Sequence, residues 1–253
     1  MLIAERHQKI VELVNERNSI RVSELSALFS KTEETIRRDL EKLESRGKLM
    51  RSHGGAVSVD EPESLEISYV ERELTNAKEK KQIAIEAVKH VMAGDKIILD
   101  ASTTAWYMAA ALPNIDITVL TNSIKVATEL STKDKITVIS TGGVLRPASL
   151  SYVGPSAESS LSAYHVDKAF ISCKGFHLER GMSESNEQQA RVKEMMIDCA
   201  DIVYIMVDYS KFGAQSFTKL SHIEAIDYVL TDHKTDSDIS NALNNHSLKL
   251  ITS

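Results

Sequence analysis

Polar residues and glycines follow the apolar runs in the rear part of the chain, and their chemistry suits the binding of an anion. Hydroxyls and backbone N–H groups at the start of a helix attract an anion, lysines neutralise its charge, and glycines let the backbone approach it. The candidate ligand-binding residues are Asp100, Ser102, Thr103, Thr104, Thr121, Asn122, Gly142, Gly143, Lys174 and Lys211. The sequence therefore predicts an anionic small-molecule site, although each piece alone is more often a helix cap or a turn.

Residues 32–38 carry a second set of side chains, whose types suit nucleic acid. A helix that enters the DNA major groove presents short polar and cationic side chains from its first turns. An arginine there can bind guanine O6 and N7 together or clamp a phosphate, and the sequence leaves both roles open. The candidate DNA-contacting residues are Ser23, Thr32, Glu33, Thr35, Arg37, Arg38, Arg51 and His53. The alternative is a solvated helix whose arginines pair with Glu34 or Glu41, and Arg38 in particular could pair with Glu34.

Three helices and a small β-hairpin are predicted to position these candidates. Apolar spacing indicates a first helix over residues 4–16, followed by a short β-like stretch at 20–22. Ser23 is expected to cap a second helix that buries Leu25 and Leu28.

The third helix is expected to begin after Thr32, whose side chain would cap it. Its inner stripe consists of Ile36, Leu40 and Leu43. Gly47 is expected to end this helix in a left-handed conformation. Residues 48–51 then alternate like a strand, and Gly54-Gly55 would form the turn of a wing.

Apolar strands alternate with helices from residue 82 onward. The predicted strands cover residues 96–99, 117–120, 136–139, 169–172, 203–207, 228–230 and 248–251, and the predicted helices cover 78–92, 104–112, 123–132, 187–200 and 235–245. This alternation indicates an α/β fold with a mostly parallel sheet covered on both faces. In such sheets ligands bind beyond the carboxyl ends of the strands, which is where the anion-binding candidates lie.

The predicted organisation is a DNA-binding domain over residues 1–57, a linker over 58–76 and a ligand-sensing domain over 77–253. The linker begins with an acidic stretch that lacks periodicity. Residues 69–81 are heavily charged and are expected to begin a long helix. Its Lys78, Lys80 and Lys81 fit a solvated helix face better than a DNA contact.

Charge is distributed unevenly along the chain. Residues 1–57 hold 11 Lys+Arg and 9 Asp+Glu, a balance of +2, whereas the remainder holds 19 and 27, a balance of −8. This asymmetry suits a DNA-binding end joined to a solvated domain. The two cysteines match no zinc spacing, and no metal or cofactor is expected. The sequence has neither an apolar signal core nor a run of about 18 apolar residues, so a cytoplasmic protein without membrane contact is expected.

The segment VSELSALFSKTEETIRRDLEKLESRGKLMRSHGGAV closely resembles the winged helix-turn-helix signature of DeoR-type bacterial transcription regulators. In that family ETIRRDL lies on the recognition helix and HGGA belongs to the wing. The rear part looks like the family's sugar-phosphate sensor domain, which is related in fold to ribose-5-phosphate isomerase. The resemblance thus implies an N-terminal winged helix-turn-helix and a C-terminal Rossmann-like, ribose-5-phosphate-isomerase-like domain.

The resemblance also implies a function. The chain is expected to be a transcriptional repressor of a sugar-utilisation operon, to bind double-stranded operator DNA as a homodimer or homotetramer, and to respond to a phosphorylated sugar. The stretch LDASTTAWYMAAALPNIDITVLTNS resembles the fucose and rhamnose branch of the family, which makes rhamnulose 1-phosphate and fuculose 1-phosphate the first candidates. The family's ligand loops also correspond to Asn186, Glu187 and Lys193, although a solvated helix face explains the last two equally well. Lys174 departs from the family because many members have an acidic residue there.

An isomerase-like enzyme is the main alternative. Catalysis would need a general base near the sugar carbons, for which Asp100 and Glu184 are available. Lys174 removes one expected carboxylate, however, and a DNA-binding domain serves no purpose in a metabolic isomerase, so no catalytic residue is expected. A transcriptional activator is a further alternative, and the sequence does not distinguish it from a repressor.

Overall fold

The chain divides into two compact units, residues 1–65 and 66–253. The computed structural model describes residues 3–17, 19–46, 48–52, 54–58, 68–245 and 248–253. The division falls inside the predicted linker, most of whose first half lies outside the described residues, so the linker remains a prediction. Within the described residues no helix is both long and apolar enough to cross a membrane.

The first unit combines three helices with a small antiparallel sheet. Its elements are α1 (Ile3–Arg17), β1 (Ser19–Arg21), α2 (Val22–Phe29), α3 (Glu33–Ser45), β2 (Leu49–Ser52) and β3 (Gly55–Ser58). The strand order is β1-β3-β2, so the β-like stretch before the second helix pairs with the wing. Gly55 makes this pairing possible, because a Cβ at that position would lie 2.3 Å from the Ile20 carbonyl oxygen. A winged helix-turn-helix is therefore confirmed.

The core of this unit follows the predicted periodicity with two corrections. Ile36, Leu40 and Leu43 of α3 are buried, as is Leu25 of α2. Leu28 was expected in the same core but is 53% exposed, because it lies on the outer face of a helix only eight residues long.

The expected N-cap role of Ser23 is also wrong. The helix α2 begins two residues earlier than a cap at Ser23 would allow, with Arg21 at the cap position and without a side-chain capping bond. The predicted C-terminal residue of α3, Gly47, lies outside the described residues.

The second unit is an α/β domain with a larger number of elements. Its α-helices and strands, in chain order, are α4 (Tyr69–Leu74), α5 (Ala77–Val88), β4 (Lys96–Leu99), α6 (Thr103–Ala111), β5 (Ile117–Thr121), α7 (Ile124–Leu130), β6 (Ile136–Ser140), β7 (Val144–Arg146), β8 (Ser151–Val153), α8 (Pro155–Leu161), β9 (Val166–Ile171), β10 (Gly175–His177), β11 (Gly181–Glu184), α9 (Glu187–Asp198), β12 (Ala200–Met206), β13 (Thr218–Ser221), β14 (Tyr228–Thr231), α10 (Ser237–Asn245) and β15 (Lys249–Thr252).

The described strands form a seven-stranded parallel sheet in the order β15-β14-β12-β9-β4-β5-β6. Successive residues of β4 belong to different cores: Ile98 packs with α8 and α9, whereas Ile97 and Leu99 pack with α5, α6 and α7. The sheet is thus covered on both faces, as the alternation of strands and helices predicts. Strand order reverses between β4 and β9, which creates a crevice at their carboxyl ends.

The prediction of one long helix beginning at residues 69–81 is wrong. The chain forms α4 and then α5, because Asn76 between them adopts a left-handed conformation with φ of 51°. This break turns α4 into a separate element whose side chains point to different neighbours from those of α5. The small hairpins β7–β8 and β10–β11, the strand β13 and the helix α8 were not predicted from the sequence.

Candidate functional site

Asp100 lies directly after β4 and is fully buried. Its carboxylate accepts hydrogen bonds from the backbone N–H of Ser102 at 3.1 Å and from the backbone N–H of Ser172 at 3.0 Å. Ser172 directly follows β9, so Asp100 spans the two strands between which the strand order reverses. The carboxylate therefore forms part of the floor of the crevice where open parallel sheets bind ligands.

Lys193 of α9 connects Asp100 to a second buried carboxylate. Its ammonium lies 3.1 Å from the Asp100 carboxylate, donates to the Ser172 carbonyl at 2.6 Å, and contacts Glu184. Burial works to lower the pKa of Lys193, but Glu184 and Asp100 together raise it above its ordinary value. The lysine thus remains protonated between the two carboxylates, and its interpretation as part of a solvated face is wrong. Glu187, in contrast, is exposed and pairs with Arg191.

Two helices begin at the same edge of the sheet. The Ser102 hydroxyl accepts from the Ala105 N–H at 3.0 Å and so caps α6, and the Ser123 hydroxyl accepts from the Val126 N–H at 3.2 Å and caps α7. A hydroxyl that accepts in this way still has a hydrogen to donate. Both helix starts therefore direct positive dipole ends toward the crevice side of the sheet.

Asn122, between β5 and α7, is 1% exposed. Its amide nitrogen donates to the Tyr152 carbonyl at 3.0 Å. Its side-chain oxygen has no hydrogen-bond partner among the described residues. Buried polar atoms nearly always have a partner, so this oxygen is an acceptor positioned for a group that donates.

The helix α4 lies over this edge of the sheet and contributes further buried polar atoms. Tyr69 is 2% exposed, and neither its hydroxyl nor the Nε and Nη2 atoms of Arg72 have hydrogen-bond partners within the described part of the chain. The Arg72 guanidinium carbon lies 5.4 Å from the centroid of the Tyr69 ring. Burial raises the pKa of the Tyr69 hydroxyl, and the charges of Glu73 and Asp100 raise it further. The hydroxyl is therefore neutral and can act as a donor.

Lys80 of α5 lies beneath α4. Its ammonium donates to the Arg72 carbonyl at 2.6 Å, and the residue is 6% exposed. Burial lowers the pKa of Lys80 to about 8; Asp208 opposes this shift, while Lys211 and Arg72 add to it. The expectation that Lys80 lies on a solvated face is wrong, because its charge is enclosed beside other cations.

The predicted ligand-binding residues are not all in the same surroundings. Asp100, Ser102, Thr103, Thr104, Thr121 and Asn122 are all buried at the ends of the adjacent strands β4 and β5. Gly143 approaches its own chain, because a Cβ there would lie 2.8 Å from the Val153 carbonyl oxygen. Its φ is 114° and that of Gly142 is 61°. The presence of glycine at both positions is thus explained by backbone conformation, without a ligand.

The two predicted lysines lie on different loops. Lys174 directly precedes β10, and its backbone N–H donates to the Ser183 carbonyl at 3.0 Å. Lys211 ends a short 3₁₀ turn after β12, and its charge acts on both Lys80 and the buried Cys173 thiol. Lys211 therefore belongs to the same cationic neighbourhood as Lys80, whereas the structure leaves the role of the Lys174 side chain a prediction.

Sequence reasoning missed Tyr69, Arg72 and Lys80. A charged segment next to a linker is usually solvated, and nothing in its composition indicates burial. Tyr69 and Arg72 are three residues apart and share one face of α4, whereas Lys80 is eight residues beyond Arg72 and belongs to α5, on the other side of the break at Asn76. The apolar ring of Tyr69 within a charged run was the one available signal.

The surface of α3 is the candidate nucleic-acid interface in the first unit. Arg37 and Arg38 are well exposed, and each lies 3.3 Å from a glutamate one turn earlier, Glu33 and Glu34 respectively. The pairing of Arg38 with Glu34 that the sequence left open is therefore present. Such exposed pairs contribute little to stability and exchange readily for another anion.

The wing faces the same helix. Arg51 donates to Glu44 of α3 at 2.7 Å, and a groove of about 450 Å³ between helix and wing is lined by Val22, Arg37, Leu40, Glu44, Arg51, Gly54 and Gly55. The Thr32 hydroxyl accepts from the Thr35 N–H at 3.3 Å, which confirms the predicted cap of α3. Ser23 and Glu33 are exposed, and His53 lies outside the described residues.

A buried ion cluster holds α3 against α1. Asp39, on the inner side of α3, accepts from Arg6 at 2.7 Å and contacts His7 at 2.9 Å. Burial raises the pKa of Asp39, but its bonds to Arg6 and His7 outweigh burial, and the net shift is downward. The contact fixes which face of α3 points outward, namely the face with the two arginines.

Both units match family models. Residues 6–62 match the DeoR-like helix-turn-helix domain, and residues 75–233 match the DeoR C-terminal sensor domain. The helix-turn-helix match includes most of α1, all of α2 and α3, and the wing, and the sensor match includes six of the seven sheet strands, all except β15, and the crevice between β4 and β9.

The chain also aligns with whole regulators. It is 58% identical over 250 residues to the uncharacterized HTH-type transcriptional regulator YulB of Bacillus subtilis, covering 99% of this chain and 96% of the relative. It is 34% identical over 233 residues to the L-fucose operon activator of Escherichia coli K12, covering 91% and 96%. Among solved structures, ribose 5-phosphate isomerase A of Methanocaldococcus jannaschii superposes on 55% of this chain, over 55% of its own length, with a TM-score of 0.42 and 19% sequence identity.

Proposed function

The chain belongs to the DeoR family of transcriptional regulators, and from this we propose that a phosphorylated sugar bound at the crevice between β4 and β9 modulates its binding to operator DNA. The DNA would be contacted by α3 and the β2–β3 wing. The ligand would be contacted by the strand-end residues around Asp100 and Asn122. The proposal joins the two functions because the two units are parts of one chain.

The observation that carries the proposal is the set of buried polar atoms at the carboxyl edge of the sheet that find no hydrogen-bond partner among the described residues. The guanidinium of Arg72 offers donors that suit an anion, whereas the Asn122 side-chain oxygen offers an acceptor that suits a hydroxyl. Two helix starts add positive dipole ends. A small molecule that carries both a phosphate and hydroxyl groups meets these demands together.

The first candidate ligands are rhamnulose 1-phosphate and fuculose 1-phosphate. They follow from the likeness of residues 99–123 to the deoxysugar branch, and the L-fucose operon activator is a relative over nearly its whole length. We expect the ligand to relieve repression of an operon for use of the same sugar. Because that relative is named an activator, a reporter fusion in a deletion strain decides the sign of regulation.

The regulator is expected to act in the cytoplasm as a homodimer or homotetramer, since two recognition helices on a two-fold axis fit a repeated operator site. Sedimentation of the full-length protein with and without DNA measures the number of subunits. A monomer on DNA would contradict this part of the proposal.

The isomerase alternative is weaker because of how the two carboxylates are used. Asp100 accepts from two backbone N–H groups and contacts Lys193, and Glu184 contacts the same lysine. A general base must be able to take a proton from the substrate, whereas both carboxylates here are already held by a protonated amine. Incubation with ribose 5-phosphate, with assay for ribulose 5-phosphate, tests this alternative.

Operator binding titrated with phosphorylated sugars tests the proposal directly. DNA fragments from the genome are first selected by the full-length protein, and the affinity for the selected fragment is then measured with each sugar phosphate. A change of about tenfold corresponds to a coupling of about 1.4 kcal/mol. If no phosphorylated sugar changes the affinity, the sensing part of the proposal is wrong.

A further inference from the structure

We propose that α4 is the part of the ligand site that moves with the ligand, with Arg72 binding the anionic group and Tyr69 a neighbouring oxygen, and that α4 carries the binding event to the linker. This inference rests on the proposed function and goes beyond it by assigning the anion to two residues that precede the sheet. It also assigns the coupling to a particular helix.

The first support is the state of the polar atoms on α4. Tyr69 is 98% buried, yet its hydroxyl has no hydrogen-bond partner within the described residues, and the same is true of two shielded nitrogens of Arg72. Leaving such donors unmet costs free energy. The protein therefore gains when a ligand supplies acceptors, and a guanidinium prefers the paired oxygens of a phosphate or carboxylate.

The second support is the set of groups that surround Tyr69. The Tyr69 ring lies 5.6 Å from the Lys125 ammonium, on the first turn of α7, and Asp100 acts electrostatically on its hydroxyl. The Tyr69 backbone N–H donates to the Ala148 carbonyl at 2.8 Å. Shortly after Ala148, the Leu150 carbonyl accepts from the Ile124 N–H, and the Tyr152 N–H donates to the Asn122 carbonyl. Tyr69 thus faces the ends of β4 and β5, where the strand-end candidates lie, and the Arg72 guanidinium lies beside its ring.

The third support is that two cations and only one anion act on Lys80, whose ammonium bonds to α4. Arg72 and Lys211 both act to lower the pKa of Lys80, and Asp208 opposes them. Asp208 is itself engaged, since it accepts from Asn76 at 3.0 Å and contacts the Ser210 hydroxyl at 2.5 Å. An anion placed beside Arg72 would relieve this repulsion, which is a gain that a neutral sugar could not provide.

The helix α4 is attached to the domain by a small number of polar contacts among the described residues. Tyr69 bonds Ala148, the Glu73 carbonyl accepts from the Tyr107 hydroxyl at 3.0 Å, the Glu73 carboxylate lies 3.7 Å from the Lys125 ammonium, and the Arg72 carbonyl accepts from Lys80. Its outer face is apolar and exposed, with Val70 at 67% and Leu74 at 76%. A six-residue helix held in this way is a low-stability element, so a ligand that bonds its inner face should order it.

The coupling follows from the order of the chain. The described residues of the second unit begin at Ser68, immediately before α4, and the first unit precedes it. Any change in how firmly α4 is held is therefore transmitted first to the segment that leads to the DNA-binding unit.

The test uses the full-length protein with fuculose 1-phosphate, rhamnulose 1-phosphate and inorganic phosphate as probes, and with the unphosphorylated sugars as blanks. Affinities are measured by calorimetry for the wild type, Arg72→Gln and Tyr69→Phe. The matched controls are Arg191→Gln, an exposed arginine paired within α9, and Tyr164→Phe, an exposed tyrosine. Arg72→Lys keeps the charge but loses the planar fork.

We expect Arg72→Gln to weaken binding of the probes by about tenfold or more, Arg72→Lys by less, and Tyr69→Phe by about threefold to tenfold, because charged hydrogen bonds contribute more than neutral ones. The two controls should bind as the wild type does. If the wild type binds a probe and Arg72→Gln binds it equally well, the inference is wrong and the proposed function stands. If the wild type binds none of the probes, both are wrong as stated.

Hydrogen exchange on the wild type provides a test that needs no variant to fold. The bound probe should slow exchange of the α4 and Thr75–Asn76 amides as well as those of the strand-end loops. Slowing confined to the loops after β4 and β5, with α4 unchanged, would overturn the role of α4 even if the site itself is correct.

Discussion

At the scale of single residues, the cluster of Lys193, Asp100 and Glu184 shows why charges can be buried in this domain. Each ion has lost its water, and removing a partner leaves an uncompensated charge in the interior. Glu187 provides a contrast three residues from Glu184, since it is 67% exposed in its ion pair with Arg191. The two glutamates have the same chemistry and differ only in what surrounds them.

We therefore expect Glu184→Gln to lower the free energy of unfolding by about 3 kcal/mol, because Lys193 would keep only one carboxylate in a buried site. Glu187→Gln should change it by no more than about 0.5 kcal/mol, as for other exposed pairs. Urea denaturation of both variants measures the difference. Equal values for the two variants would contradict the interpretation of the cluster.

Arg37 has a different role, because it is exposed and its pair with Glu33 contributes little to the fold. We expect Arg37→Gln to leave stability nearly unchanged and to weaken operator binding by about tenfold. If Arg37 contacts a phosphate, the slope of log affinity against log salt should fall by about one; if it reads a guanine, specificity should relax instead.

The control for this measurement is Arg46→Gln, at the C-terminal end of α3 and away from the first turns that face the groove in such domains. It removes the same charge from the same helix. If Arg37→Gln and Arg46→Gln weaken binding equally, Arg37 contributes only its general positive charge, and its assignment as a contact residue is wrong.

At the scale of elements, the packing of α5 against α4 provides a titratable group at the site. The Lys80 ammonium bonds the last turn of α4 and has its pKa lowered to about 8, mainly by burial. A lysine with a folded pKa below its ordinary value of 10.5 disfavours the folded state while it is charged. In the ligand-free protein this penalty is present below pH 8 and is relieved as pH rises toward 10.5.

Ligand affinity is expected to depend on pH in the opposite direction from stability. A sugar phosphate is a dianion above a pKa of about 6, so it binds best while Lys80 is charged. We expect affinity to fall by about tenfold between pH 7 and pH 9.5 at constant ionic strength, since binding that is linked to the uptake of one proton weakens by at most about tenfold per pH unit. Calorimetry in buffers of different ionisation enthalpy also measures the proton uptake on binding.

Lys80→Met removes the titrating group and should flatten this pH profile while it leaves the profile of an unphosphorylated sugar unaffected. A wild-type affinity that stays constant across pH 8 would show that Lys80 is too far from the anion to sense it. It would also weaken the assignment of the anion to the neighbourhood of Arg72.

The same region shows where sequence patterns succeed and fail. The strands of the sheet were predicted within a few residues because runs such as Ile97–Leu99 are apolar on both faces, which is typical of buried parallel strands. The break at Asn76 was missed because it involves neither proline nor glycine, and an asparagine tolerates positive φ without a sequence signal. The hairpin strands β7 and β8 have three residues each, too few to show a period.

Site residues follow the same physical division. Asp100 and Asn122 could be predicted because they adjoin strands whose direction is evident from the pattern. The burial of Lys193 and Lys80 could not be predicted, because burial of a charge depends on partners that come from other elements and that no local window contains. Tyr69 and Arg72 depend in addition on the separation of α4 from α5.

At the scale of the whole molecule, a strong thermodynamic constraint applies to any regulator built from two units. If a sugar phosphate changes the affinity for operator by a given factor, operator must change the affinity for the sugar phosphate by the same factor. The constraint holds whether the ligand releases or tightens DNA, so it tests the coupling without knowledge of its sign.

We therefore expect the dissociation constant of the effective sugar phosphate to differ by about tenfold or more between the free protein and the protein saturated with operator, in line with typical coupling energies of about 1–3 kcal/mol. Calorimetric titration of both samples at the same salt concentration measures the ratio, and operator titrations with and without ligand give its partner value. Arg72→Gln should lower the ligand affinity of both samples, whereas Arg191→Gln should leave the ratio unchanged. Equal dissociation constants for the free and the DNA-bound protein, together with clear ligand binding, would mean that the two units act independently and that the sensor does not control the DNA-binding unit.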